Sequence, residues 1–147
     1  MEDLFAGVDV STQGQKIVII DLEKRSVIYS DSINYDIDLP KYNTLNGVLK
    51  DTDFGVSESN PNMWIDSLHL LFERLKTSSD IIQSIKAISI AGQQHGLVAI
   101  DKDGNLAKST SKLWNDFSTA EECEILTKEI GGSEQMITEV ANSQRTG

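Results

Sequence analysis

Eighteen residues near the start, LFAGVDVSTQGQKIVIID (4–21), constrain the fold more than any other stretch. Leu4 to Val10 and Lys16 to Asp21 are apolar, strand-forming runs separated by a short polar turn. The β-branched run Ile17-Val18-Ile19-Ile20 predicts burial on both faces of the second strand. Ser26 to Ile33 adds a third strand after the polar turn Glu23-Lys24-Arg25, so the chain opens as an antiparallel meander. Asp9 stands out in this pattern. It ends a buried strand on a carboxylate, and the chain turns back through two hydroxyls, an amide and Gly14. That arrangement is costly for a plain hairpin and useful for holding something charged.

The 147 residues suffice for one ordinary domain with a sizeable core. Apolar residues make up 39%, too many for a disordered tail. The net charge of −10 comes without any Lys/Arg cluster, which excludes a nucleic-acid surface and points to small-molecule or metal-bound anionic partners. The single cysteine, Cys123, rules out an internal disulfide and a cysteine-based metal cluster. No apolar run approaches the ~20 residues of a membrane span. The start, Met-Glu-Asp-Leu-Phe, is acidic, unlike a signal peptide, and no Asn-x-Ser/Thr sequon occurs. Together these features lead to the expectation of a cytoplasmic protein that meets neither membrane nor nucleic acid.

Beyond the meander, Tyr35 to Asn60 shows no clean periodicity and reads as a surface excursion. Asn60-Pro61 then supplies an N-cap and a first-turn proline for a helix. Its expected buried face is Trp64, Leu68, Leu71, Phe72 and Leu75, and Ser78-Ser79-Asp80 marks its end. Strands are expected at Ile85 to Ala91, at Leu97 to Ile100 and in a segment leading to Leu113-Trp114, with a tight turn at Asp103-Gly104. Ser118 and Glu121 have the spacing of a capping box for a helix to Ile130. Cys123, Leu126 and Ile130 form its apolar face, and Gly131-Gly132 separates it from a last helix over Ser133 to Val140. The order β-β-β-α-β-β followed by helices predicts an α/β fold with a mixed sheet.

Three stretches can carry chemistry. In DVSTQGQK (9–16), Asp9 can hold hydrated Mg²⁺, and the following residues can form a nest for phosphates; a plain solvated hairpin turn fits the spacing equally well. In SIAGQQHGLV (89–98), two glycines flank Gln93, Gln94 and His95, whose donors and acceptors suit a polyhydroxylated ligand or simply a polar turn. In LWNDFST (113–119), Trp114 and Asp116 can bind a sugar, although a core tryptophan and a helix-capping aspartate explain the same residues. Asp101-x-Asp103-Gly104 lacks the remaining ligands of a calcium loop, and His69 reads as an ordinary helix residue.

Taken in order, these stretches resemble the start of a carbohydrate kinase of the FGGY family, and within that family its xylulokinase branch. GVDVSTQGQK resembles the family's phosphate motif Asp-x-Gly-Thr-x-x-x-Lys, which actin and Hsp70-type ATPases share. NPNMWIDSL resembles the helix start Asp-Pro-x-x-Trp, GQQHG the segment Gly-Gln-x-His-Gly, and KLWNDFSTAEE the stretch Leu-Trp-x-Asp. NSQRTG resembles the segment that continues toward Thr-Gly-x-Thr, so the chain is expected to be the N-terminal part of a longer kinase. Ser11 stands where the phosphate motif usually has glycine, and Phe117 where many relatives have a smaller residue.

The resemblance implies a ribonuclease-H-like domain, incomplete within residues 1–147, with the remainder of that domain and a C-terminal nucleotide-binding domain lying elsewhere. It implies a cofactor pair, ATP and Mg²⁺, and transfer of phosphate to a ketopentose, D-xylulose to D-xylulose 5-phosphate. Asp9 (through water), Ser11, Thr12, Gln13 and Lys16 would serve the phosphates and Mg²⁺. Gln94, His95, Trp114 and Asp116 would serve the sugar. The catalytic general-base aspartate is expected downstream, leaving these 147 residues inactive alone. A homodimer of the full-length protein is compatible with the reading. The alternatives are another pentulose or polyol kinase and a non-catalytic ribonuclease-H-like interaction module.

Overall fold

The computed structural model describes residues 3–143 and 146. The chain divides into two compact units, Met1–Lys50 with Ser59–Gln94, and Asp51–Glu58 with His95–Gly147. Of the expected signal NSQRTG, residues 144, 145 and 147 lie outside the described residues.

The first unit is built on the expected meander. Strand β1 (Leu4–Val10) pairs antiparallel with β2 (Gly14–Asp21), which pairs antiparallel with β3 (Ser26–Asn34). Helix α2 (Pro61–Ser78) then carries the chain to β7 (Ile85–Gly92), which lies parallel to β1. The order β3-β2-β1-β7 is the mixed sheet expected from the sequence. Strand β2 begins at Gly14, two residues earlier than expected, because the turn is tight enough for pairing to resume at once.

Burial on both faces of β2 is not observed. Ile17 and Ile19 are fully buried, whereas Ile20 is 37% exposed. The strand alternates, with one face turned to α2, as in an antiparallel arrangement. Leu4, Ala6, Val8, Ile17, Ile19 and Ile33 form that face and meet Met63, Leu71 and Leu75 of the helix. Each fully buried Leu, Ile, Val or Met there stabilises the fold by about 1.5–3 kcal/mol.

Asn60 caps α2 by accepting the amide N–H of Asn62 at 2.9 Å, and Pro61 occupies the first turn, as expected. The buried face is centred differently from the expected one. Met63, Ser67, Leu71 and Leu75 are buried, while Trp64, Leu68 and Phe72 are partly so. Ser67 is tolerated there because its hydroxyl donates to the Trp64 carbonyl at 2.9 Å.

The segment read as a structureless excursion is ordered. Asn34 caps the short helix α1 (Tyr35–Asp38), accepting from the amides of Asp36 and Ile37. A 3-10 turn over Pro40–Tyr42 leads into a miniature hairpin, β4 (Thr44–Leu45) with β5 (Val48–Leu49), and the two-residue β6 (Glu58–Ser59) precedes α2. Polar side chains, not an apolar period, hold this region, so periodicity could not reveal it.

In the second unit, Leu97 to Ile100 forms no strand. It contributes only the isolated bridges Leu97↔Lys112 and Ile100↔Leu106. The turn at Gly104 is present, with φ +84° and its N–H on the Asp101 carbonyl at 3.1 Å. The strand before Leu113 is reduced to β8 (Ser111–Lys112). Helix α3 (Ala120–Ile130) begins after Thr119, and the expected Ser118/Glu121 capping box does not form. The Ser118 hydroxyl is instead used by Asp116 and Lys112. Gly131 ends α3 at φ +105°, and α4 (Ser133–Val140) follows as expected. The apolar stripe of α3 is not core: Leu126 and Ile130 are 44% and 38% exposed. Among the described residues, no helix is long and apolar enough to cross a membrane.

Candidate functional site

Alternation along β1 buries Val8 and exposes Asp9 on the opposite face. In the β1–β2 register Asp9 lies opposite Lys16, so a carboxylate and an ammonium share that face. The Ser11 N–H donates to the Gly14 carbonyl at 2.9 Å and closes the turn between them. The Ser11 hydroxyl donates to Asp9 Oδ2 at 2.5 Å. A pocket of about 290 Å³ opens here, lined by Asp9, Ser11, Gln13, Gly14, Lys16 and Asn34 among others. The structure thus brings four of the five expected phosphate-side residues around one cavity.

The backbone of the turn is held in a definite orientation. The Tyr35 N–H donates to the Gln13 carbonyl at 3.1 Å, and the Tyr35 hydroxyl donates to the Ser11 carbonyl at 3.2 Å. Burial pushes the Tyr35 pKa up to about 12, so the phenol stays a donor at ordinary pH. The Thr12 carbonyl abuts buried Gly47. A trans peptide places each N–H opposite the preceding C=O. With the carbonyls of Thr12 and Gln13 engaged by Gly47 and Tyr35, the N–H groups of Gln13 and Gly14 point the other way. A turn with that polarity suits an anion.

Thr12, the fifth expected residue, does not line the cavity. Its hydroxyl donates to Gln93 Oε1 at 3.1 Å, while the Gln93 N–H donates to the Val10 carbonyl at 3.0 Å. Within GQQHG it is therefore Gln93 that touches the turn, and Gln94 is exposed. The sequence offers Gln93 only as a member of the polar trio, and the assigned site residues were Gln94 and His95 instead. The available signal was the register of a strand parallel to β1, which brings the residue after Gly92 level with the end of β1. Tyr35 and Gly47 were also missed, since both fall in the stretch read as an excursion.

His95, Trp114 and Asp116 belong to the second unit. His95 is exposed and adopts φ +60°, a left-handed conformation uncommon for a residue with a β-carbon. Trp114 is 52% exposed, so the core role that local sequence allowed falls to Leu113, which is 1% exposed. Asp116 is 2% exposed. Its carboxylate accepts from the Ser57 N–H at 2.8 Å, the Ser118 N–H at 3.1 Å and the Ser118 hydroxyl at 2.6 Å. Lys112 Nζ lies 3.2 Å from Oδ1. Burial by itself would raise the pKa of this carboxyl, but the hydrogen bonds from Ser118, Ser57 and Lys112 outweigh it and lower the pKa to about 2. Asn115 is tied into the same loop, accepting from the Ser57 hydroxyl at 2.7 Å. Asp116 is thus the hub of the 57/112–118 loop, on which Trp114 and Phe117 are the exposed aromatic side chains.

The profile of the FGGY family of carbohydrate kinases, N-terminal domain, matches residues 4–144. The xylulose kinase of Schizosaccharomyces pombe is 39% identical over 152 aligned residues, covering 90% of this chain and 26% of that protein. The xylulose kinase of Rattus norvegicus is 33% identical, covering 88% of this chain and 28% of the relative. The chain therefore spans about a quarter of the length of the curated relatives it matches. Among solved structures, the xylulose kinase from Rhodospirillum rubrum superposes with a TM-score of 0.76 at 20% identity, over 95% of this chain and 26% of that one. Gluconate kinase from Lactobacillus acidophilus gives 0.74 at 21% identity, over 99% of this chain and 26% of its own. These structural likenesses establish the sugar-kinase fold, the ribonuclease-H-like α/β arrangement anticipated from the sequence. The chain belongs to the FGGY family of carbohydrate kinases, as an N-terminal domain of that family.

Proposed function

We propose that the protein carrying this domain transfers a phosphoryl group from ATP to a ketopentose, D-xylulose, a reading supported by relatives named xylulose kinase. The observation that carries the reading is the Ser11–Gly14 turn: its carbonyls are engaged by the protein, and its cavity is edged by Asp9 and Lys16. The donor set fits a metal–phosphate group. Mg²⁺ keeps most of its waters and takes one or two carboxylates, which an exposed Asp9 supplies. Lys16 and the N–H of Gln13 offer donors to phosphate oxygens, while Ser11 donates its hydroxyl to Asp9 and its N–H to the Gly14 carbonyl, and Thr12 is positioned through Gln93. Bound Mg·ATP supplies the phosphoryl group and neutralises its charge; the residues of this chain orient it and stabilise charge where it develops.

On the sugar side, Gln94, His95 and Trp114 offer exposed hydrogen-bonding and stacking groups, while Asp116 serves by fixing the loop that carries Trp114. Phosphoryl transfer depends on positioning across a closed site, so the 147-residue chain alone is expected to turn over no sugar. Cytoplasmic location and homodimerisation remain part of this proposal. The gluconate kinase likeness favours a second reading, a kinase of another sugar or sugar acid. The deciding experiment is ADP release by the full-length protein with ATP, Mg²⁺ and a panel of ketoses, polyols and gluconate. D-Xylulose should give the highest kcat/KM. Absence of sugar-dependent ADP release across the panel would overturn the kinase reading.

A further inference from the structure

We infer that Asp36 is a positioning residue for phosphoryl transfer, acting through the Asn46–Gly47 turn on the phosphate turn; this rests on the kinase reading above. Asp36 lies in α1, immediately after Tyr35, which already binds the Ser11 and Gln13 carbonyls. Its carboxylate reaches ten residues along the chain. It accepts from the Asn46 N–H at 2.6 Å, the Gly47 N–H at 3.1 Å and the Thr44 hydroxyl at 2.7 Å. Asn46 and Gly47 both have positive φ, +54° and +77°, a conformation that such a carboxylate clamp can hold in place. The other side of Gly47 is fixed as well, since the Ser59 hydroxyl donates to its carbonyl. Gly47 is buried and in contact with the Thr12–Gln13 peptide.

The chain of contact is short. Asp36 sets the Asn46–Gly47 backbone, Gly47 sets the Thr12 carbonyl, and that carbonyl fixes the direction of the Gln13 N–H. Charge stabilisation in phosphoryl transfer depends on donors being aimed before the reaction, and a small misplacement is enough to slow it. Asp36 does not line the phosphate-turn cavity, so its influence there is mechanical.

The test uses the full-length protein with Asp36→Asn, which keeps the shape but presents an amide where an acceptor is needed. Thr44→Val and Thr44→Ser serve as the weaker and the conservative companions. The expected result is a kcat at least tenfold lower, with KM for the sugar within twofold of wild type. Amide hydrogen exchange over residues 11–14 should speed up by a similar factor. Thr44→Val should move both readouts in the same direction by less, and Thr44→Ser should restore them. Wild-type kcat together with wild-type exchange at 11–14 in Asp36→Asn would overturn the inference, as would a lower melting temperature with both readouts unchanged. If the wild-type protein phosphorylates no sugar, the kinase reading fails, and exchange at 11–14 alone decides whether Asp36 braces the turn.

Discussion

Gly47 sits so close to Thr12 that a β-carbon added at residue 47 would stand 1.9 Å from the Thr12 carbonyl oxygen. The obstacle is backbone, not the tip of a flexible side chain, so the phosphate turn itself would have to move. Residue 47 also has φ +77°, which costs a residue with a β-carbon about 1–2 kcal/mol.

Gly47→Ala is therefore expected to lower kcat of the full-length protein by at least tenfold and to reduce its stability by about 2 kcal/mol or more. Steady-state kinetics and a urea melt would measure both. Gly104→Ala is the control, because it shares a positive φ but has open space around the added β-carbon. Equal losses in the two variants would mean that φ strain alone explains the effect and that contact with Thr12 is irrelevant.

Asp116 gives a pH prediction. Its carboxyl pKa is about 2 in the folded chain against an ordinary 3.8. A carboxyl with a depressed folded pKa adds stability above its unfolded value, and that stability disappears as pH falls through the folded one. The order of the 57/112–118 loop should thus be intact above about pH 4 and be lost between about pH 4 and 2. Asp116→Ala leaves the Ser57 and Ser118 amides without their acceptor and removes one of the partners of Lys112, at a cost of about 1–3 kcal/mol. Amide exchange at Ser57 and Ser118 across that pH range is the measurement. Parallel curves for wild type and Asp116→Ala would show that the carboxylate does not organise the loop.

The four strands of the main sheet and the main helix were legible because their signals are local, whereas the strand expected at Leu97 to Ile100 did not form. Asn60-Pro61 announces α2 by capping chemistry, and the run Leu4 to Val10 by its apolar pattern. Ile17 to Ile20 misled because β-branched residues satisfy strand propensity whether or not a second layer covers them, and Ile20 is exposed. Tyr35 to Asn60 was opaque because Asp36 and Ser59 hold it through polar contacts ten and twelve residues along the chain, which carry no period, with only the Asn34 cap being local. The candidate site divides similarly. Asp9 announces itself as a carboxylate ending an apolar strand. Gln93 could be preferred to Gln94 only once β7 was registered against β1, a tertiary fact.

Asp9→Asn in the full-length protein should reduce turnover by two orders of magnitude or more while leaving sugar affinity within about twofold. Asn keeps the hydrogen bond from Ser11 but loses the charge that would hold hydrated Mg²⁺. The checks are kcat as a function of Mg²⁺ concentration and calorimetric sugar binding. An unchanged kcat at saturating Mg²⁺ would reduce Asp9 to a turn residue.

His95→Ala should raise KM for the sugar about two- to tenfold and leave KM for ATP within error. His95 is exposed, whereas the five residues assigned to phosphate lie in the separate 9–16 segment. One hydrogen bond to an uncharged sugar hydroxyl is worth roughly 0.5–1.5 kcal/mol, which corresponds to that range. The positive φ of His95 adds a second handle. His95→Gly removes the side chain but suits the backbone, so it should match alanine in KM while equalling or exceeding wild type in melting temperature. Both KM values and a thermal melt for each variant complete the test. A rise in KM for ATP with no change for the sugar would put this loop on the nucleotide side and remove His95 from the sugar-binding set.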